Sequence, residues 1–313
     1  MLKMTNVILE FMSDIDMYQF VEKGMRGGTS YIAHRHGEAN NHYLSFYDPS
    51  KPTKYIMYLD ANNLYGWAMS RHLPKGDFKW LTEDEWKKIN LKQITDKGTI
   101  WEVDLEYPHE LHDLNNDFPL APEKMKITNE IISPYCQEIR EMYKIPLGNT
   151  EKLITTLYDK TNYVCHYDNL RMYLSLGLKI KTVYRVLSFT QSKWLEPYRA
   201  FNTAKRAQAK NAFEKDFFKL LNNSVFGKTM ENVRKRVSVK FTTYEKQATK
   251  LASKPTFRCS NIIDENLVVV SNKRETILLD KPAYVGMCTL DMSKYLMFKF
   301  HYTFIKKSPQ FEI

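Results

Sequence analysis

Asp60 and Lys219 are the two residues whose settings suggest chemistry. Asp60 ends the short apolar run "YIMYLD", which reads as a strand and would hold the carboxylate rigidly at its end. Mg2+ takes one or two such carboxylates together with substrate phosphates. The chain continues into "ANNLYGWAM", where amides of the Asn62–Leu64 turn could face a phosphate and Tyr65 could lie beneath a sugar. On this segment alone, Asp60 serves equally well as the cap of a following helix. Lys219 belongs to "FEKDFFKLLNNSVFGKT", in which Lys215, Lys219 and Asn223 recur at i, i+4 and i+8 and share one helix face. Arg206 and Lys210 lie just upstream, on a neighbouring turn or a facing helix. Phe213, Phe217, Leu220, Leu221 and Val225 fall largely on another face, which is expected to pack inward. A lysine ladder is usually only solvated surface. Here Ser224, Phe226 and Gly227 follow it, and a glycine one turn past a cationic face lets a flat group approach the backbone. Several negative charges and a flat ring describe a nucleoside triphosphate.

The remaining sequence must position these groups. The 313 residues suggest about two domains or one large one with subdomains, and 43% hydrophobic residues can fill a sizeable core. Lysine and arginine total 46 against 36 acids, a net charge of +10, which favours a polyanionic partner. Cys136, Cys165, Cys259 and Cys288 are dispersed, which excludes a zinc ribbon or disulfide scaffold and fits a reducing compartment, nucleus or cytoplasm. No apolar run approaches the roughly 20 residues that span a bilayer, so no membrane partner is expected. "WEVDLEY" alternates like a half-buried strand, and "TEDEWKKI" opens with a Thr82/Glu85 capping box. A helix is expected over about 129–143, with Pro134 marking a kink or late start. "YDNLRMYLSLGLK" reads as a helix stopped at Gly177, and "KTVYRVLSF" as a strand. Helices follow from Ser192 to about Val233, then strands in "RVSVKFTTY" and "NLVVVSNKRETILL", then a long apolar-faced helix in "PAYVGMCTLDMSKYLMFKFHYTFI". Without regular βαβ alternation, the fold class is α+β with a helical insertion. His34, His36 and His42 have no cysteine or carboxylate at ligand spacing and read as surface histidines or a basic loop.

Two motifs together carry a resemblance. "DANNLYG" resembles motif A (D-x-x-S-L-Y-P) of family B DNA polymerases, and "KLLNNSVFGK" resembles their motif B (K-x-x-x-N-S-x-Y-G), in the family's order. The protein-primed branch, and within it the polymerases of Maverick/Polinton-type elements and related viruses, is the most similar. "VEKGMRGGTSYIAHRHGEANN", "GWAMSRHLP", "YDKTNYVCHYDNL" and "FGKTMENVRKR" extend the likeness over nearly the whole chain. The resemblance implies that Asp60 binds the catalytic metals and that Tyr65 is the steric gate against ribonucleotides. It implies that Lys219 meets the incoming triphosphate, that Asn223 and Phe226 pack over the nascent base pair, and that Gly227 allows close approach. Asn62, Asn63 and Leu64 complete the expected nucleotide site. Arg206, Lys210 and Lys215 are further triphosphate candidates from helical position. "MRGG" resembles the Y-x-G-G template-binding motif, which makes Arg26, Gly27 and Gly28 DNA-binding candidates. The basic run after motif B adds Lys228, Arg234, Lys235 and Arg236 as phosphate contacts, with steep salt dependence. The sequence departs from the family pattern at Phe226 (usually Tyr), Asn63 (Ser), Gly66 (Pro) and Met25 (Tyr).

The implied architecture is a partial polymerase palm, an antiparallel sheet with helices, plus helical fingers: an incomplete right hand. Residues 1–53 would form an N-terminal region with the template-binding loop, and 54–130 a palm segment with motif A. Residues 131–236 would form a helical insertion and fingers with motif B, and 237–313 a palm continuation. The implied partners are a DNA template–primer and a dNTP, with a terminal priming protein as a further candidate, and the implied cofactor is Mg2+ in a two-metal site. The third family signature, Y-x-D-T-D-S, is absent. "SDID" precedes motif A and is in the wrong order, and Asp291 in "TLDMSK" reads as a surface acid on a helix. The sequence running into "SPQFEI" suggests a truncated copy or fragment, without exonuclease acids or thumb. A non-catalytic nucleic-acid-binding remnant is the alternative reading. Two metals stabilise the attacking and leaving oxygens together, and one carboxylate should hold them poorly. The purified chain is therefore expected to extend a primer little or not at all. Robust extension that disappears in Asp60→Ala would contradict this.

Overall fold

The computed structural model describes residues 1–30, 32–34, 36–93 and 95–308; Pro309–Ile313, the end of the "SPQFEI" segment, lie outside them. A short α1 (Leu2–Thr5) precedes α2 (Ile15–Gly24), which starts where the Asp14 side chain accepts from the amides of Asp16 and Met17. The Asn-Asn turn leads into α3 (Leu64–Met69), with Asn63 left-handed at φ 57°. Then come β1 (Leu73–Trp80), the box-capped α4 (Glu83–Trp86), β2 (Lys97–Glu106) and α5 (His112–Asn115). β3 (Glu123–Lys126), α6 (Pro134–Tyr143) and β4 (Glu151–Ile154) form an outlying ribbon with its own helix. β5 (Lys160–His166) runs directly into α7 (Tyr167–Ser175), and Gly177, at φ 105°, turns the chain into β6 (Lys179–Ser192). β1, β6, β2 and β5 pair in that order into an antiparallel sheet.

A helical hairpin follows, α8 (Glu196–Ala207) and α9 (Ala212–Thr229). β7 (Val237–Thr242), α10 (Glu245–Ala252), β8 (Phe257–Asp264) and β9 (Leu267–Lys273) make a small unit whose sheet runs β7-β9-β8. The last long helix is α11 (Ala283–Phe300), extended by a π-helical turn at His301–Ile305. The mixed fold with an antiparallel sheet and an inserted helical pair is the α+β arrangement expected; α10 and β8 were not foreseen.

α11 is buried at every position from Ala283 to Lys294, as a helix apolar on all sides should be. It packs against α2, α3, α7, α9 and the sheet. Two glycines permit the closest approaches. A Cβ on Gly286 would lie 2.0 Å from Met230 Cγ, and one on Gly24 would lie 2.6 Å from Met287 Cε. The helix also carries a charge pair into the interior. Asp291, expected on the surface, is 1% exposed. Its carboxylate accepts from the His166 amide at 2.9 Å and pairs with Lys294 at 3.1 Å. Lys294 in turn donates to the Arg26 carbonyl at 2.6 Å. Burial lowers the Lys294 pKa, against the opposing pull of Asp291.

Two strand expectations change. Tyr55–Asp60 is extended but pairs with no strand among the described residues; the nearest pairing is the isolated bridge Asn40–Lys54. Its apolar side chains, Tyr55 to Leu59, all face solvent. The run has strand propensity but no neighbour to complete a ladder. "WEVDLEY" lies in β2, between β5 and β6 with little exposure on either face, so Glu102 is buried rather than half-exposed. Lys23 at 2.6 Å and Arg185 at 2.8 Å hold that carboxylate, and burial is outweighed by these bonds so that its pKa falls.

His166 gives the fold a pH dependence. Burial pushes its pKa below the ordinary 6.5, against the pull of Asp168 and Asp291. The unfolded chain takes up the proton as pH falls through about 6.5, and the folded chain resists it, so stability present above that pH is lost below it. The urea midpoint should fall between about pH 7 and pH 5. His166→Asn, which keeps an acceptor at the start of α7, should flatten that slope in the same window; an unchanged slope would remove His166 as its source.

Candidate nucleotide and nucleic-acid site

α3 and α9 meet over the N-terminal half of α11. At their junction the rings of Tyr65 and Phe226 stack, 4.3 Å between centroids and 19° from parallel. The two segments singled out by sequence are therefore in contact. Phe226 and Val225 also pack on the core that contains α11. Asn63 folds back over the start of α3, and a Cβ on Gly66 would sit 2.3 Å from its Nδ2, which accounts for glycine at that position.

α9 has two unlike halves. Its C-terminal half is anchored: Asn222 is buried and accepts from Asn202 of α8 at 3.1 Å, and Tyr198 donates to the Leu221 carbonyl at 3.4 Å. One member of the Asn-Asn pair thus serves the hairpin, while Asn223 and Ser224 face solvent. The N-terminal half projects away from the core. Phe213, Phe217 and Leu220, expected to pack inward, are 78%, 46% and 62% exposed. Helical period alone does not reveal that the core ends partway along the helix.

Lys215, Lys219 and Asn223 are exposed, as are Arg206 at the end of α8 and Lys210 in the turn between the helices. Lys219 and Asn223 line a groove of about 440 Å³ with Phe213, Asp216, Phe217 and Leu220. Gly227 is also exposed, and a Cβ there would meet nothing within 4 Å. No packing demand of this fold explains a glycine inside α9. Asp60, Asn62 and Asn63 are exposed, and Leu64 and Tyr65 half-buried.

The DNA-binding candidates divide differently. Arg26 turns inward: it donates to the Val164 carbonyl at 2.6 Å and lies 4.0 Å over the Tyr163 ring. Its role here is to anchor the loop, which corrects the expectation of a surface contact. Gly27 and Gly28 beside it are exposed with open space around them. The basic run is largely paired with acids, contrary to the expected open phosphate surface. Lys228 holds Glu231 at 2.8 Å, Arg234 holds Glu22, and Arg236 binds Glu231 at 2.9 Å and Asp280 at 3.1 Å. The bonds from Arg236 and Lys228 bring the Glu231 carboxyl to about 2. Among the described residues Lys235 makes no such pair. Glu22 lies 212 residues from Arg234 and left no local pattern, whereas Glu231 is close in the chain to Lys228 and Arg236 and was passed over.

The metal expectation meets a bare donor set. Asp60 is the right type of ligand for Mg2+, but no group of three or more carboxylate, histidine or cysteine side chains gathers among the described residues. His34 instead pairs with Asp117 at 2.9 Å. The residues described do not make a two-metal site.

The fold is that of a DNA polymerase domain in part. Structures of Phi29 DNA polymerase match over most of this chain at low sequence identity. Its orthorhombic crystal form matches with a TM-score of 0.50 and 11% identity over 96% of this chain and 43% of the polymerase. Its ternary complex with primer-template DNA and incoming nucleotides gives 0.51 and 13% over 94% and 41%. Its post-translocation binary complex with primer-template DNA gives 0.50 and 13% over the same shares. The chain thus spans less than half the length of the polymerase it resembles. No protein-family model matches the sequence, and no curated protein matches it.

Gly227→Ala separates fold from site. Replacing an exposed mid-helix glycine by alanine should stabilise the chain by about 0.5–1 kcal/mol. If the position receives a ligand, the same change should weaken binding of dTTP or DNA. A melting temperature that rises with unchanged binding would leave Gly227 without a ligand role.

Proposed function

We propose that this chain is the palm-and-fingers portion of a protein-primed, family B-type DNA polymerase, of the branch that includes Maverick/Polinton-type elements. The observation that carries the reading is the Tyr65–Phe226 stack, which joins the two motif segments at the edge of an exposed lysine face. In this reading Lys219 and Lys215 offset the triphosphate charge, with Arg206 and Lys210 at the rim. Tyr65, backed by Phe226, crowds the sugar edge where a 2′-hydroxyl would project. Gly227 leaves the backbone open to the nascent base pair, and Gly27 and Gly28 let template backbone pass close by. Asp60 stands at the end of the exposed Tyr55–Asp60 segment as the one carboxylate toward the metals. A primer 3′-hydroxyl, or a side-chain hydroxyl of a priming protein, would attack the α-phosphate, forming the new P–O bond as the bond to the β-phosphate breaks, so that pyrophosphate leaves and the hydroxyl proton passes to solvent.

One observation favours the second reading, a nucleic-acid-binding remnant without chemistry. Asp60 has no carboxylate cluster beside it among the described residues, and phosphoryl transfer with two metals needs more than one carboxylate ligand. Nucleotide binding therefore tests the site more directly than turnover. With primer–template DNA and magnesium present, dTTP should bind measurably by equilibrium dialysis. Lys219→Ala should weaken it by about tenfold or more, the scale of a lost charge-assisted bond. Tyr65→Ala should narrow the preference for dTTP over its ribonucleotide counterpart. Undiminished dTTP binding in Lys219→Ala would remove the nucleotide site from this helix.

A further inference from the structure

The exposed side of α9 is a single stripe. Phe213, Phe217, Leu220, Ser224 and Gly227 follow one another at three- and four-residue spacing, and all five are solvent-exposed. The stripe is graded. Small residues, Ser224 and Gly227, lie at the end that meets Tyr65 and Phe226. Bulky apolar residues lie at the far end. The rings of Phe213 and Phe217 are 6.4 Å apart and 16° from parallel, and both are exposed, although Phe217 also meets Phe218 edge-on. A helix that only needed to be soluble would not place two phenylalanines there.

We propose that Phe213 and Phe217 form a stacking platform for unpaired nucleobases of a single strand leading to the nucleotide site. Charge selects this occupant. Lys219 lies in the same groove as both rings, and Lys215, Lys210 and Arg206 surround the same end of the hairpin, with Asp216 the one acid in the groove. Cations beside flat apolar rings match an alternation of phosphate and base. The spacing also fits. Phe213 and Gly227, 14 positions apart on α9, are separated by about 21 Å, or about six nucleotide steps of roughly 3.4 Å. The rings therefore meet bases several positions from the pair that forms over Gly227. The platform reads no sequence, since every base has a face to stack.

This inference rests on the nucleotide-site reading but fails separately from it. The test uses the full chain, a fluorescein-labelled thymidine oligonucleotide of about twelve residues, and a matched strand of abasic sites, by fluorescence anisotropy at fixed salt. Phe213→Ala with Phe217→Ala should weaken thymidine-strand binding by about tenfold or more and leave abasic-strand binding unchanged. Phe213→Trp with Phe217→Trp should retain or strengthen it. Both positions are exposed, and a thermal melt verifies that the variants fold. Thymidine-strand binding within about twofold of the parent, or equal loss for both strands, would overturn the platform. So would a parent dimer that the alanine variant converts to monomer, since the face would then belong to a second copy. If Lys219→Ala lowers dTTP binding while the alanine variant binds both strands normally, the platform fails alone. If the rings matter and Lys219 does not, the nucleotide-site reading fails and the platform stands.

Discussion

Asp291 sits within the most buried stretch of α11 with its carboxylate out of water, and the arrangement of the site depends on what that carboxylate holds. Burying an ion costs on the order of several kcal/mol, and the cost is met only when partners surround it. Here the partners come from separate parts of the chain. The His166 amide belongs to the β5–α7 junction, and the Asn169 side chain donates to the Asp291 carbonyl at 2.9 Å. Lys294 carries the interaction to the carbonyl of Arg26, whose guanidinium is bonded back to β5 through Val164. The result is a connected set of charges and carbonyls that pins the N-terminal loop, the sheet and the central helix to one another. Removing any member would strand the others as unpaired polar groups in a low-dielectric interior, so the arrangement has few alternatives.

From that fixed helix the site is built by close packing. Gly286 admits Met230 and Thr229 at the C-terminal end of α9, which seats that half of the helix firmly. α3 lies against the same part of α11, so Tyr65 reaches Phe226 without a long lever between them. The N-terminal half of α9 has no such support beyond its hairpin partner. It is positioned by the rigidity of an 18-residue helix and by the Asn202–Asn222 bond. Lys215 and Lys219 therefore stand exposed on a helical backbone held from its other end.

Helices α4, α6, α7, α11 and the α8–α9 pair, and strands β2, β6, β7 and β9, were legible because their signals are local, while β1, β3, β4, β5 and β8 were not read. The Thr82 capping box, the late start at Pro134 and the stop at Gly177 all appear as read. The contact of Tyr65 with Phe226 joins the two segments that motif order and resemblance had singled out. What failed was whatever depends on surroundings. Asp291 sits on a largely apolar helix, and nothing in that window says that His166, 125 residues earlier, will supply a partner. Glu102 alternates with apolar residues like a solvent-facing acid, yet β5 and β6 flank its strand and two cations cover it. Phe213 and Phe217 have the period of a buried stripe, and only the extent of the core decides that they are not. Arg234 looked like part of a phosphate surface because its partner Glu22 lies far off in the chain, and Arg236 because the neighbouring Glu231 and the distant Asp280 were not read as its partners.

The two halves of the candidate site differ in how firmly they are held, and that difference orders what the chain can do. Tyr65, Phe226 and Gly227 are fixed through α3, α9 and α11. Asp60 hangs on an extended segment with unpaired backbone on both sides and a row of exposed apolar side chains from Tyr55 to Leu59. Few buried contacts and a solvated backbone mark a region of low local stability. A carboxylate must be held within a fraction of an ångström to serve metal-assisted transfer, whereas a lysine face can bind a triphosphate with far looser geometry. In the proposed reading, binding asks less of the geometry than catalysis does, and Asp60 stands on the less firmly held segment. A strand that paired with Tyr55–Asp60 would satisfy its free backbone groups, and in the proposed reading the same ladder would fix Asp60.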